Sequence, residues 1–382
     1  MILRKFNYFE FADKPNSWTL DGMILENINL LVGKNATGKT NALTKISWLG
    51  NMLAGIQPQL LNSGNYDVEF IDGKDVYQYK LNLSSQRVEY EALIINGEQK
   101  FERRSDGRGQ IFTVQFNTIM NFQLSPNQLV VTSKRDAIQH PFIEELAKWA
   151  EGIRMYAFSS HLGQNTLIVI NDMNNINVDP RDMKSVIGLY IKGEQEFPQD
   201  FRKRIISSMK EIGYELSNVG VTSNIRSLSH VSFPIGTNGL MLYIGEKESK
   251  PPIYQPQMSQ GMFRALSLII QITYNTLKHL STTILIDDIG EGLDFERSSS
   301  VIKLIMRIAE EGKGQIIMST NDRFVMNNVP LRYWQIIQRN GGQCKIFNYH
   351  NATEKFDEFQ YMGLNNFDFL ATDFINTKWE KA

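Results

Sequence analysis

Residues 33–40, which read Gly33-Lys34-Asn35-Ala36-Thr37-Gly38-Lys39-Thr40, decide the fold of this 382-residue chain. An apolar run from Ile24 to Val32 precedes the stretch, and a run of helical character from Asn41 to Leu53 follows it. A strand, a glycine-containing loop and a helix in this order form a P-loop, which binds phosphate through backbone N–H groups and the helix N-terminus. The stretch therefore predicts an α/β domain that binds a nucleotide.

The residue types in the loop fit phosphate chemistry. Gly33 and Gly38 permit a tight turn whose N–H groups face inward, whereas the alternative is a glycine turn before an ordinary core helix. Lys39 is expected to reach the β- and γ-phosphates of ATP, and the Thr40 hydroxyl is expected to ligate Mg²⁺. Further nucleotide-binding positions are predicted at Lys34, Asn35, Ala36, Thr37 and Asn41.

The overall composition is that of a soluble globular protein, with 42% hydrophobic and 21% charged residues. The 40 Lys and Arg residues balance 41 Asp and Glu residues, so the net charge of −1 does not indicate nucleic-acid or membrane binding. The single Cys344 excludes an internal disulfide. No signal peptide or membrane-spanning run is recognisable, so the sequence predicts a cytoplasmic protein without membrane contact.

The middle of the chain shows two hairpin patterns and then helical patterns. Asp72-Gly73 and Asn96-Gly97 each separate two extended runs, which is typical of β-hairpins. With a third extended run at 111–116, they predict an antiparallel sheet stacked on the nucleotide core. Apolar residues at helical spacing predict helices over 141–153 and 200–216. Three arginines near the second hairpin are expected to be solvated or to contact nucleic acid: Arg103, Arg104 and Arg108.

The second half of the chain contains four further motifs. The run 259–264, Ser-Gln-Gly-Met-Phe-Arg, opens an amphipathic helix. The apolar residues 284–286 predict a buried strand that ends in Asp287 and Asp288. The triplet 292–294, Gly-Leu-Asp, follows this strand, and the run 315–321 predicts another strand that ends near Asn321.

These motifs together resemble the ABC-type ATPases of the SMC and RecF class and the related OLD-like ATPases. In that comparison, 259–264 corresponds to the signature motif, Asp287 and Asp288 to the Walker B end, and 292–294 to the D-loop. The resemblance implies a P-loop NTPase fold, an ABC-ATPase head with an antiparallel side sheet and a helical insert. It implies an ATPase core over 1–118 and 255–350, a mostly helical insert over 119–254 that ends in a hairpin, and an aromatic-rich C-terminal segment over 351–382.

The resemblance also implies a mechanism in which ATP joins two copies of the chain. Ser259 and Gly261 would cap the γ-phosphate of an ATP bound to the P-loop of a second protomer, giving a homodimer or a higher homo-oligomer. Asp287 would hold Mg²⁺ together with Thr40, and Asp288 would orient or deprotonate the attacking water. Such ATPases also use a glutamine near the site, and Gln115, Gln123 and Gln164 are all candidates.

Two positions depart from the family pattern. Most such ATPases carry Glu at position 288, and an Asp carboxylate is about 1.5 Å shorter in reach; Glu291 is a second, weaker candidate for the catalytic carboxylate. The switch position, commonly His, is Asn321 here, and an amide cannot carry a proton charge at neutral pH. The sequence therefore predicts slow ATP hydrolysis.

The biological role follows from analogy alone. About 40 residues remain after the last core strand, too few for the TOPRIM nuclease domain of many OLD-like proteins. The resemblance thus implies a sensor or scaffold that controls a separate effector, for example a nuclease in bacterial phage defence. Two alternatives stay open: a RecF-like DNA-repair ATPase that binds DNA directly, and a structural assembly protein that uses ATP as a dimerisation cofactor.

Overall fold

The structure, a computed structural model, describes most of the chain. The described residues are 1–57, 59–158, 164, 168–169, 178–179, 181–182, 185–223, 239–247, 251–280, 282–311 and 314–376. The chain forms two compact units: the first contains Met1–Ile153, Ser281–Leu285 and Gly314–Ala382, and the second contains Arg154–Leu280 and Ile286–Lys313.

The strands and helices are numbered in chain order. The strands are β1 Ile2–Glu10, β2 Trp18–Ile24, β3 Ile28–Val32, β4 Ser63–Asp72, β5 Asp75–Ser84, β6 Arg87–Ile95, β7 Glu98–Arg104, β8 Arg108–Thr113, β9 Thr118–Gln123, β10 Ile153–Ala157, β11 Ile168–Val169, β12 Leu216–Thr222, β13 Gly239–Glu246, β14 Ile253–Tyr254, β15 Thr282–Asp287, β16 Gly314–Ser319, β17 Trp334–Asn340 and β18 Gln343–Asn348. The helices are α1 Lys39–Leu53, α2 Val130–Ser133, α3 Pro141–Glu151, α4 Val186–Glu196, α5 Phe201–Glu211, α6 Gln260–Leu277, α7 Phe295–Glu310, α8 Arg323–Asn328, α9 Thr353–Tyr361 and α10 Asn366–Ala371.

One long sheet organises the first unit. From β15 onward its strand order is β15-β16-β3-β17-β18-β2-β1-β4-β5-β6-β7-β8-β9. The strand β3 lies between β16 and β17, and both pairings are parallel. All five residues of β3 are buried, as expected for a strand in a parallel sheet that is covered on both faces.

The predicted hairpins are confirmed, but the way they join the core differs from the prediction. Asp72 pairs with Asp75 and Ile95 with Glu98 around the two turns. Asn96 and Gly97 both adopt positive φ, 52° and 83°, as a tight hairpin turn requires. Strand β1 contacts the nucleotide core, since Lys45 on α1 pairs with Glu10 at 2.8 Å. The antiparallel strands also continue the same sheet edge to edge. The reason is that β18 pairs with β2 and β1 pairs with β4, so backbone hydrogen bonds link the two parts.

The predicted third extended run, 111–116, ends earlier than expected. The strand β8 stops at Thr113, and Val114–Phe116 form a 3₁₀ turn that leads into β9. Asn117 closes this turn with φ 47°, in the left-handed region that Asn tolerates. The predicted insert, 119–254, therefore begins with a strand, and its part within 224–238 lies outside the described residues.

Helix α6 is the centre of the second unit. Every residue from Gly261 to Asn275 is buried, so this helix is covered on all sides. Helices α4 and α5 pack against it, and β12, β13 and β14 form a small antiparallel sheet. The Tyr190 hydroxyl on α4 donates to the Val219 carbonyl on β12 at 2.8 Å, which ties this sheet to the helices.

The aromatic C-terminal segment completes the core of the first unit. Phe356, Phe359, Phe369 and Phe374 are all buried, and neighbouring ring centroids lie 4.8–5.4 Å apart. Such distances are typical of packed aromatic pairs. The aromatic-rich C-terminal segment therefore packs these four side chains into a core. No helix in the described part of the chain is long and apolar enough to cross a bilayer.

Candidate functional site

The P-loop lies in the first unit, between β3 and α1. Gly33 follows β3, and a Cβ at this position would lie 2.7 Å from the Ile337 carbonyl oxygen, so no larger residue fits. Gly38 is the N-cap of α1 with φ 104°, a conformation that favours glycine. Gly38 has no side chain with which to cap the helix, so the start of α1 carries the positive end of the helix dipole beside the loop.

Lys39 and Thr40 begin helix α1 in different environments. The Lys39 side chain is only 6% exposed, and its Nζ donates to the carbonyl oxygens of Gly33 at 2.9 Å and Lys34 at 3.2 Å. Its ammonium group thus lies inside the loop, where phosphate oxygens can replace the carbonyl acceptors. Thr40 is exposed at the start of the helix. These features fit a bound triphosphate with its Mg²⁺.

Three residues that no sequence motif indicated lie against the P-loop. Arg339 Nη1 donates to the Ala36 carbonyl at 3.1 Å, and the Cys344 thiol donates to the Thr37 carbonyl at 3.3 Å. The Trp18 ring would lie 3.5 Å from a Cβ on Gly38. No local motif marks these residues, because only the strand order β3-β17-β18-β2 brings them to the loop.

Asn321 lies at the same end of the sheet as the P-loop. The strand β16 pairs in parallel with β3, with Ser319 opposite Leu31, and Thr320 N donates to the Leu31 carbonyl at 3.3 Å. Asn321 is exposed, whereas the Asp322 carboxylate caps α8 by accepting from Phe324 N at 2.7 Å. Of these two neighbours, Asn321 is therefore the one whose side chain is available to a ligand.

The signature turn and the D-loop pack against each other in the second unit. Ser259 is the N-cap of α6, and its Oγ accepts from Met262 N at 3.2 Å. A Cβ on Gly261 would lie 2.2 Å from the Gly292 carbonyl oxygen, so this contact requires glycine. Arg264 Nη1 also donates to the Glu291 carbonyl at 3.0 Å. The signature turn and the D-loop therefore pack in direct contact with each other.

The predicted carboxylates occupy distinct environments within the second unit. Asp287 ends β15 and is 3% exposed, and its carbonyl accepts from Phe158 N at 2.9 Å. Asp288 is half-buried and adopts φ 54°, a left-handed conformation that Asp and Asn tolerate better than other side chains. Glu291 is exposed. The backbone conformation thus gives a physical reason for Asp at position 288.

The three candidate glutamines lie in different parts of the structure. Gln115 and Gln123 belong to the turn before β9 and to β9 itself, and β9 lies ten strand positions from β3 in the sheet. At the usual strand spacing this is roughly 45–50 Å along the sheet. Gln164 is buried in the second unit, where its Nε2 donates to the Met258 carbonyl at 2.7 Å, one residue before the signature turn.

Part of the chain matches a known protein family. Residues 160–327 match the family model described as AAA domain, putative AbiEii toxin, Type IV TA system. The match begins after the P-loop and includes the signature turn, Asp287, Asp288, the D-loop and Asn321. A search of curated proteins gave no match.

One solved SMC head domain shares the fold with a TM-score above 0.5, and two further SMC heads match with lower scores. An SMC head bound to the C-terminal winged-helix domain of ScpA has a TM-score of 0.54 at 12% identity, covering 91% of this chain and 97% of that one. The SMC head of Thermotoga maritima has a TM-score of 0.45 at 12% identity, covering 91% and 99%. A Pyrococcus furiosus SMC head bound to ScpA has a TM-score of 0.46 at 12% identity, covering 94% and 100%. The chain therefore shares the α/β fold of an SMC head domain, a P-loop NTPase fold, and its residues 160–327 match the AAA family model.

Proposed function

We propose that this chain binds ATP with Mg²⁺, hydrolyses it slowly, and associates with a second copy around the bound nucleotide. The observation that carries the proposal is the P-loop, in which the Lys39 ammonium donates to loop carbonyls at the start of α1. A triphosphate offers that ammonium stronger, charged acceptors, and α1 adds the positive end of its dipole. Thr40 and Asp287 would hold Mg²⁺, which when bound neutralises developing negative charge on the phosphates.

The chemical step requires a carboxylate, and we assign that role to Asp288. In this step the oxygen of a water molecule bonds to the γ-phosphorus while the bond from that phosphorus to the bridging β–γ oxygen breaks. Asp288 orients the water and accepts its proton, and ADP leaves with the bridging oxygen. Asn321 orients the γ-phosphate or the water through its amide, which cannot carry a proton. Turnover is accordingly expected well below the roughly 10 s⁻¹ typical of enzymes.

The association of two copies is supported by the construction of the signature turn. Ser259 is the N-cap of the 18-residue helix α6, whose residues 261–275 are buried. Gly261 packs against the D-loop at the Gly292 carbonyl. A helix N-terminus held in this way is suited to bind a γ-phosphate presented by another protomer.

The sensor or scaffold role rests on the family description, which names a putative toxin of a toxin–antitoxin system, and on the OLD-like resemblance. That role requires a separate effector, so coexpression with neighbouring genes should yield a stable complex; its absence would contradict the role.

Three variants test the ATPase assignment. Lys39→Ala should weaken ATP binding at least 100-fold, because it removes the charged donor to the phosphates. Asp288→Asn keeps a side chain that tolerates the left-handed backbone, so it should bind ATP as the wild type does while hydrolysis falls on the order of 100-fold or more. Glu291→Gln is the matched control and should leave both quantities unchanged. Binding is measured by titration calorimetry and hydrolysis by phosphate release.

The same variants separate the alternatives. If Asp288→Asn hydrolyses ATP at the wild-type rate and Glu291→Gln does not, Glu291 is the catalytic carboxylate and the assignment is wrong. If the wild type binds ATP but never releases phosphate, the chain uses ATP as a dimerisation cofactor only. Direct DNA binding has less support, because the Arg103 side chain is fully buried and Arg104 pairs with Glu102 at 3.1 Å.

A further inference from the structure

Strand β9 is an edge strand that exposes both of its faces. Five of its six residues are exposed and Phe122 is half-buried. Among the described residues no other strand pairs with its outer edge, since β8 occupies the inner edge and β9 ends the sheet. Strands of antiparallel sheets normally bury one face against a core, so this amount of exposure in a regular strand is unusual.

An apolar patch surrounds the first half of this strand. We define the β9 patch as five large hydrophobic side chains with high exposed fractions: Val114 45%, Phe116 60%, Ile119 61%, Met120 47% and Ile138 70%. A hydrogen bond of 2.9 Å from Val114 N to the Gln139 carbonyl brings the segment with Ile138 beside the hairpin tip. Side chains of this size and exposure present on the order of 500 Å² together, distributed over both faces of the strand because Ile119 and Met120 are adjacent in it.

The strand carries none of the features that normally protect a sheet edge. Its sequence, Thr-Ile-Met-Asn-Phe-Gln over 118–123, contains no charge and no proline. An uncharged strand can pair with a second copy of itself, because antiparallel self-pairing places no like charges opposite each other. A twofold axis through the middle of the strand would place the first half of each strand, with its patch, beside the second half of the other copy's strand.

We propose that two copies of this chain associate without nucleotide through antiparallel pairing of their β9 strands, burying the β9 patch. The patch and the paired backbone together approach the roughly 800 Å² per partner of a standard specific interface. This interface goes beyond the proposed ATP-dependent association and uses residues ten strand positions from β3. Two different twofold interfaces on one chain would let ATP convert dimers into larger assemblies of even copy number.

The test measures the mass of the full chain at micromolar concentration without nucleotide. The wild type should have the mass of two copies, and Ile119→Lys with Met120→Lys should weaken association at least 30-fold, because like charges would then face each other across the twofold axis. The matched control places the same charges on other exposed apolar residues, Met362→Lys with Leu364→Lys, and should remain dimeric. Lys39→Ala should also remain dimeric, so this interface is distinguished from the ATP-dependent one.

A cross-link tests the pairing even where the lysine variants fold poorly. Cys344 is buried, so Asn121→Cys introduces one accessible thiol near the proposed axis. Mild oxidation should give a covalent dimer, whereas Gln110→Cys, opposite Asn121 on the inner neighbour β8, should give much less. A monomeric wild type at tens of micromolar, lysine variants that stay dimeric, or equal cross-linking of both cysteine variants would each overturn the proposal.

Discussion

Glu91 and Arg103 are charged side chains with no exposed surface in the first unit. The Glu91 carboxylate accepts from Val130 N at 2.7 Å and from the Tyr79 hydroxyl at 3.0 Å. Arg103 donates to the Ser125 carbonyl at 2.7 Å and also to the Gln128 carbonyl. Both side chains therefore fix the segment after β9 onto the sheet. The expectation that Arg103 is solvated or contacts nucleic acid is wrong, because its hydrogen bonds are internal.

The buried carboxyl of Glu91 predicts a pH-dependent stability. Burial is the largest effect and raises its pKa from 4.5 to about 7, although hydrogen bonds from Val130, Tyr79 and Val131 oppose the shift. The folded state therefore holds the proton more tightly than the unfolded state. The stability that the proton contributes is complete below about pH 4.5 and is lost as the pH rises through 7. The loss attributable to Glu91 is expected to reach about 3 kcal/mol.

Denaturant unfolding at a series of pH values measures this effect. The free energy of unfolding should fall from pH 5 to pH 8 in the wild type, and Glu91→Gln should flatten that fall because the amide does not titrate. Glu89→Gln, an exposed carboxylate on the same strand, should keep the wild-type slope. Equal slopes in all three proteins would show that Glu91 does not control the pH dependence.

At the scale of elements, the start of α6, which contains the signature turn, packs directly against the D-loop. Gly261 lies against the Gly292 carbonyl, and Arg264 holds the Glu291 carbonyl. Gly261→Ala would place a Cβ 2.2 Å from the Gly292 oxygen, so one of the two backbones must move. This contact is between backbones, and no flexible side chain can absorb the displacement.

Gly261→Ala should therefore separate ATP binding from ATP-driven association. Because the P-loop belongs to the other unit, the variant should bind ATP within about threefold of the wild type while losing at least tenfold in ATP-dependent association. It should also lose about 1–3 kcal/mol of stability through overpacking. Gln260→Ala changes the exposed neighbour and serves as the control. An unchanged ATP-dependent mass in Gly261→Ala would show that the turn does not take part in association.

The sequence predicts elements well where the signal is local. The P-loop, the two hairpin turns and the aspartate pair after a buried strand each depend on a few adjacent residues, and the structure has the corresponding elements. The contacts of Arg339, Cys344 and Trp18 with the loop could not be predicted, because they depend on a strand order that joins distant parts of the chain. The edge-to-edge continuation of the sheet was missed for the same reason.

At the scale of the whole molecule, two proposed interfaces would respond differently to nucleotide. The β9 interface is independent of ATP, whereas the signature interface requires ATP on one copy and an intact signature turn on the other. The particle mass of the wild type should therefore increase when ATP is added and should return to its starting value as the nucleotide is hydrolysed. Asp288→Asn should hold the larger assembly for longer, because it binds ATP without splitting it.

The central claim is that the P-loop of one copy and the signature turn of another enclose one ATP, and mixing two defective variants tests it directly. Lys39→Ala lacks ATP binding but keeps the signature turn, whereas Ser259→Arg keeps the P-loop but blocks the turn. Neither variant alone should gain mass on addition of ATP, and the equimolar mixture should gain mass, because each mixed pair contains one intact composite site. If Ser259→Arg alone gains mass as the wild type does, or if the mixture gains none, the claim is contradicted.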